Sequence, residues 1–111
     1  MTKETVVDRA LRKRLERERD LLTELAHQIV AKVEEGIEKR WDVADVTLDK
    51  DVARILRQSE LAKDFLLLAL SANGIDRCPV TFFLENKEGF GEIRYISVDL
   101  KNLQNLPFND D

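Results

Sequence analysis

Three features of the sequence predict an α+β fold. Residues 5–40 contain no proline and a single glycine, and are built largely from leucine, alanine, arginine, lysine and glutamate, a helical composition. A second helix-forming run ends at Ala72-Asn73-Gly74-Ile75, and after Pro79 the apolar period changes from that of a helix to two. Helices followed by paired strands sort into a helical layer and a sheet layer around one core. The expected architecture is an N-terminal two-helix antiparallel hairpin packed against a C-terminal antiparallel β-hairpin, with room for a short C-terminal helix. Residues 1–111 are expected to form a single domain.

The first helix is placed over residues 5–40. At about 100° per residue, Val7, Leu11, Leu15, Leu22, Leu25, Ile29 and Val33 fall in one stripe, which then drifts toward Ile37 and Trp41. Gly36 marks a candidate break or bend, because an interior glycine costs about 1 kcal/mol relative to alanine. Residues 41–51 carry aspartates at 42, 45, 49 and 51 that compete for backbone hydrogen bonds, so they read as a connection with at most a short extended piece at residues 46–48. Asp49 or Thr47 is the expected cap of the next helix.

That second helix is placed over residues 50–73. Its first half has one apolar stripe, Val52, Ile55, Leu56 and Ala62, but residues 61–70 are apolar all round, with Phe65 and Leu68 opposite Leu66 and Leu70. A helix apolar on both sides is expected to be covered on both sides, so truncating Phe65 or Leu68 to alanine is expected to cost about 2–5 kcal/mol each. Gln58-Ser59 offers an alternative joint, with Ser59 capping a separate second half. Asn73-Gly74 supplies the left-handed stop and Ile75 the apolar contact after it. The β-hairpin spans residues 80–99, its turn using Gly89 at positive φ. Arg94, Ile96, Val98 and Leu100 share one face, and Ile93, Tyr95 and Ser97 the other. Residues 100–111 are a short helix capped by Asp99 and stopped by Pro107, or a frayed tail.

Charged residues make up 36% of the chain and the net charge is −4. The first forty residues hold ten basic and nine acidic side chains, the remainder eight and thirteen. An acidic protein repels phosphate backbones unless a local patch overrides the global field. The one cysteine, Cys78, can form neither an internal disulfide nor a CxxC metal or redox site, which favours a reducing, cytoplasmic setting. The N-terminus lacks the apolar core of a signal peptide and the longest apolar run, residues 65–70, is far short of a membrane span, so no membrane partner is expected.

Catalytic constellations are weak. Glu24 and His27 form an ExxH step like those of di-iron bundles, but the chain has one histidine, which falls about 160° from the apolar stripe. Cys78 and His27 do not form a recognisable nucleophile–base motif, and a lone cysteine at a strand entry behaves as a small buried apolar group. Gly89-Phe90-Gly91 is turn chemistry, without the GxGxxG spacing and following helix of a phosphate cradle. No catalytic, cofactor or metal site is expected, and the chain is read as a non-enzyme.

Binding features are stronger. Arg9, Arg12, Lys13, Arg14, Arg17 and Arg19 give residues 9–19 a net charge of +4, but they surround the helix with Glu16 and Glu18 among them. Dispersed charge of both signs is the habit of a solvated helix, with Asp8–Arg12 and Glu16–Arg19 as the expected pairs. A nucleic-acid-binding regulator using Arg9, Arg12, Lys13, Arg17 and Arg19 is therefore the second reading. The solvated coat leaves unexplained why Glu18 interrupts the apolar stripe at its centre and Arg14 at its edge, since a core does not hold such charges unpaired. The first half of the helix is expected to project past the domain body, with Val7, Leu11, Arg14, Leu15 and Glu18 as a protein-binding surface. A homodimer is the simplest case, Arg14 of one copy meeting Glu18 of the other in an antiparallel pair. The open hairpin edge, with Phe82, Phe83, Phe90 and Tyr95 as aromatic anchors, adds a second route. The preferred function is a small non-enzymatic protein-binding module: an adaptor, inhibitor or assembly factor.

Overall fold

The first helix starts at a reciprocal cap. In the computed structural model, which describes residues 3–75, 78–87 and 91–104, the Asp8 backbone N–H donates to the Thr5 hydroxyl at 3.1 Å and the Thr5 N–H donates to the Asp8 carboxylate at 3.2 Å. Hydrogen bonding by Thr5, through its side chain and then its backbone, holds the Asp8 carboxyl below its ordinary range. Asp8 thus serves the cap and not Arg12, which pairs with Glu4 at 2.7 Å.

Helix α1 then runs unbroken over Val6–Glu38, straight through Gly36. It closes in a Schellman motif: the Trp41 N–H donates to the Gly36 carbonyl at 2.8 Å and the Arg40 N–H to the Ile37 carbonyl at 3.3 Å. Arg40, at φ 59°, takes the left-handed position glycine usually fills. Gly36 is there for room, not for a break. A Cβ on it would sit 2.7 Å from Leu100 Cδ1 and 3.1 Å from Trp41 Cε3.

Strand β1, Val43–Thr47, replaces most of the expected connection. Ala44 and Val46 are buried while Val43, Asp45 and Thr47 face solvent, so the aspartate lies on the face where a strand tolerates it. β1 pairs antiparallel with β3 (Gly91–Asp99), from Val43 opposite Asp99 to Thr47 opposite Tyr95. β3 also pairs with β2 (Val80–Lys87), giving a three-stranded sheet in the order β1-β3-β2 where a lone hairpin was expected. Backbone bonds from Leu100 N–H to the Asp42 carbonyl (2.8 Å) and from Leu48 N–H to the Arg94 carbonyl (3.0 Å) fasten both ends of the β1–β3 ladder. Arg94 Nε donates to the Leu48 carbonyl at 2.7 Å.

The second helix resolves into α2, Lys50–Gln58, and α3, Glu60–Ser71. Ser59 is the joint: its backbone is extended and its hydroxyl accepts from the Ala62 N–H at 3.1 Å. Asp49 occupies the N-cap position of α2, but its carboxylate makes no cap bond. The stop of α3 is as expected, with Gly74 at φ 82° and Ile75 buried behind it. No atom lies within 4 Å of a Cβ placed on Gly74, so Gly74→Val tests backbone strain alone. Urea unfolding of that variant is expected to show a loss of about 1–2 kcal/mol, with a smaller loss for Gly74→Asn. An unchanged midpoint would mean the positive φ is not required.

One cluster of buried side chains joins the layers. Leu22, Leu25, Ala26, Ile29 and Val33 of α1 meet Val52, Ala53 and Leu56 of α2, Ala62, Leu66 and Leu70 of α3, and Ala44, Val46, Ile96, Val98 and Leu100 from the sheet side. Ile96, Val98 and Leu100 share the inward face, as their alternation requires. On the other face Phe83 and Tyr95 stack, ring centroids 4.5 Å apart. Helix α4, Lys101–Gln104, follows, with the Lys101 N–H donating to the Asp99 carboxylate at 2.9 Å. The expected roles of Gly89, Phe90 and Pro107 lie outside the described residues. Among the described residues no helix is long and apolar enough to cross a membrane.

The expectation that α3 is covered on both sides is overturned. Leu66 is 0% exposed, but Leu61 is 80% and Leu68 71% exposed, and Phe65 and Leu67 are also open. The sheet packs through β1 on α1 and through β3 on α2, while α3 packs on α1 and α2. The outer face of α3 is therefore not the face the layers enclose.

Candidate functional site

The first buried residue of α1 is Leu22. Residues 6–20 precede it as an arm about 22 Å long at 1.5 Å per residue, and none of them is buried. The radius of gyration is 17.3 Å, against about 13 Å for a compact chain of this length. The arm is held straight by the helix itself, whose lower half is fixed to α3 and β1.

Along the arm Val7, Leu11 and Leu15 form an exposed apolar ridge, Val7 at 66% and Leu15 at 61%. Val6 is exposed as well; lying off the main stripe, it was not among the expected ridge residues. Arg14 and Glu18 interrupt the ridge and face each other within the chain, Nε to Oε1 at 3.9 Å. At that distance, and with Arg14 mostly in solvent, the pair stabilises by no more than a few tenths of a kcal/mol. Arg9, Arg12, Lys13, Arg17 and Arg19 are all exposed. Arg19 lies nearest Asp20, at 3.9 Å, and not Glu16. The basic groups remain distributed round the helix instead of gathering on one side.

His27 and Glu24 are exposed on α1, and Cys78 is a buried cysteine, in no disulfide, at the entry to β2. Among the described residues no group of three or more His, Cys, Asp or Glu side chains is placed to hold a metal ion. The sheet edges belong to β1 and β2. Of the aromatic anchors, Phe82 packs against the core and Phe83 stacks on Tyr95.

A second surface went unrecognised in the sequence. Leu61, Phe65 and Leu68, at i, i+4 and i+7, make an exposed stripe on α3. Beside it an open groove of about 610 Å³ is lined by Asp64, Leu67, Leu68, Leu70, Ile75 and Val80, with Cys78 in its wall. The available signal was that residues 61–70 carry two complete stripes, 62/66/70 and 61/65/68, where packing on one side needs only the first.

Fold and surface together define an α+β protein that holds out an amphipathic helix and exposes a second apolar helical face. No protein-family model, curated protein or solved structure matches the chain.

Proposed function

We propose that this chain is a small, non-enzymatic, cytoplasmic protein-binding module whose principal contact surface is the arm of α1. One observation carries the reading: Val7, Leu11 and Leu15 are aligned and exposed on one continuous helix, in a stretch of which no residue is buried among the described residues. A helical segment of this length is marginal alone in water, and burying its ridge recovers roughly 25 cal/mol per Å² of apolar surface. Self-association is the simplest case, because one patch then serves both partners. An adaptor, inhibitor or assembly factor would use the same surface, with the edges of β1 and β2 as a second route by strand addition.

Sedimentation equilibrium tests it. Wild type is expected to be dimeric at tens of micromolar, and Leu11→Glu with Leu15→Glu to be monomeric with an unchanged helical circular-dichroism signal, since both leucines are exposed. A monomeric wild type would rule out self-association through the arm. The net +4 of residues 9–19 supports nucleic-acid binding by Arg9, Arg12, Lys13, Arg17 and Arg19 as the second reading. Labelled DNA and RNA titrated at two salt concentrations decide it, because phosphate binding must weaken as salt rises. No binding at low salt ends that reading.

A further inference from the structure

We propose that the exposed face of α3 is the receptor for the arm of a second copy of this chain, so that two copies exchange arms. This rests on the reading of the arm as a protein contact, and it specifies what the arm meets. Two apolar stripes of matching form are exposed on the same molecule: Val7, Leu11 and Leu15 on the arm, Leu61, Phe65 and Leu68 on α3. They do not meet within one chain. α1 is a single unbroken helix fixed to the body from Leu22 onward, so the arm points away and has no hinge by which to fold back.

Charge selects the pairing. By helical geometry Asp8, Arg19 and Arg12 lie along one margin of the arm ridge and Arg14 along the other, with Glu18 within it, whereas the α3 stripe has Asp64 and Glu60 along one margin and Ala62 and Ala69 along the other. An arm laid against another arm brings together two segments that each carry a net +4 over residues 9–19, which contacts between Arg14 and Glu18 offset only in part. An arm laid on α3 brings arginines toward carboxylates. Most of these groups have only loose partners, Arg14 to Glu18 at 3.9 Å, Arg19 to Asp20 at 3.9 Å and Glu60 to Lys63 at 3.6 Å, and Asp64 has no ion pair among the described residues, whereas Arg12 is held by Glu4 at 2.7 Å. The wider field agrees. Residues 9–19 carry +4 of a chain whose total is −4, so the remaining residues carry −8 and attract the arm of another copy.

Size favours exchange too. Stable interfaces bury roughly 1,200–2,000 Å² in total, and one short ridge against its copy is a small contact. A two-fold arrangement uses each arm and each α3 face once, doubling the contact and leaving neither stripe open.

The test is a complementation by sedimentation equilibrium with four samples. These are wild type, an arm variant (Leu11→Glu, Leu15→Glu), a face variant (Leu61→Glu, Leu68→Glu), and the two variants mixed in equal amounts. All substituted side chains are exposed, and circular dichroism checks that each variant folds. Exchange predicts that each variant alone is monomeric where wild type is dimeric, and that the mixture regains association, weaker than that of wild type because only one of the two arm–face contacts is intact. A face variant as dimeric as wild type, beside a monomeric arm variant, would overturn the α3 receptor and leave the arm reading standing. A mixture no more associated than either variant alone, at the highest concentration reached, overturns the exchange as well. A monomeric wild type overturns both. As a charge test that leaves the apolar stripe untouched, Glu60→Lys with Asp64→Lys is expected to raise the dissociation constant roughly tenfold or more, and an unchanged constant would remove the electrostatic basis of the pairing.

Discussion

Leu66→Ala is expected to lower the unfolding free energy by about 2–5 kcal/mol, and Leu68→Ala, two residues further along the same helix, by no more than about 0.5 kcal/mol. Leu66 is 0% exposed and sits between Ala62 and Leu70 on the face of α3 that meets α1 and α2. Removing its isobutyl group forfeits the transfer free energy of the lost atoms. It also leaves a cavity that neighbours from three helices cannot all collapse into. Leu68 points from the opposite face into solvent, and its truncation gives up little that folding had buried. Urea unfolding of both variants beside wild type decides the matter, run well below the concentration of any self-association so that a second copy does not bury Leu68. Equal losses at the two positions would show that the outer face of α3 is covered within the monomer.

This contrast marks where the sequence stops being readable. Helix α1, the stop at Gly74, the joint offered by Ser59 and the inward set Ile96, Val98 and Leu100 all follow from local rules, because spacing, caps and turn chemistry act within a few residues. The sidedness of residues 61–70 does not. Periodicity shows that a face is apolar, but whether its own fold or another molecule covers it depends on where the sheet lies. That in turn depends on β1 joining beside β3. Strand β1 was obscured by its aspartates, which argue against a strand only if they face inward, and Asp45 faces out. The arm was legible for a different reason: Glu18 and Arg14 sit where a core excludes charge, so the pattern itself marks the point at which α1 leaves the body. Their pairing with each other, and the use of Asp8 as a cap instead of a partner for Arg12, were a choice among nearly equal exposed contacts that spacing alone does not make.

Gly36 shows local preference and long-range packing in direct conflict, and Gly36→Val is expected to destabilise by about 1–3 kcal/mol. Propensity alone gives the opposite sign, since a glycine inside a helix is about 1 kcal/mol worse than alanine. Packing reverses it. A Cβ at position 36 would approach Leu100 Cδ1 to 2.7 Å and Trp41 Cε3 to 3.1 Å, and neither neighbour is free to retreat. Leu100 is fully buried and its N–H is tied to the Asp42 carbonyl. Trp41 is fixed by its N–H bond to the Gly36 carbonyl, and its ring lies under the ammonium groups of Lys32 and Lys39, 5.1 and 5.6 Å from the ring centroid. Alanine sets its propensity gain against this crowding and should fall near neutrality. Valine adds two γ-methyl groups to the same space and should not. A double-mutant cycle with Leu100→Ala separates the contributions: if crowding against Leu100 is the cause, Gly36→Val costs measurably less once that side chain is shortened. A Gly36→Val protein as stable as wild type, or a cycle with no coupling, would show that the end of α1 and the strand end at Leu100 do not need glycine to approach each other.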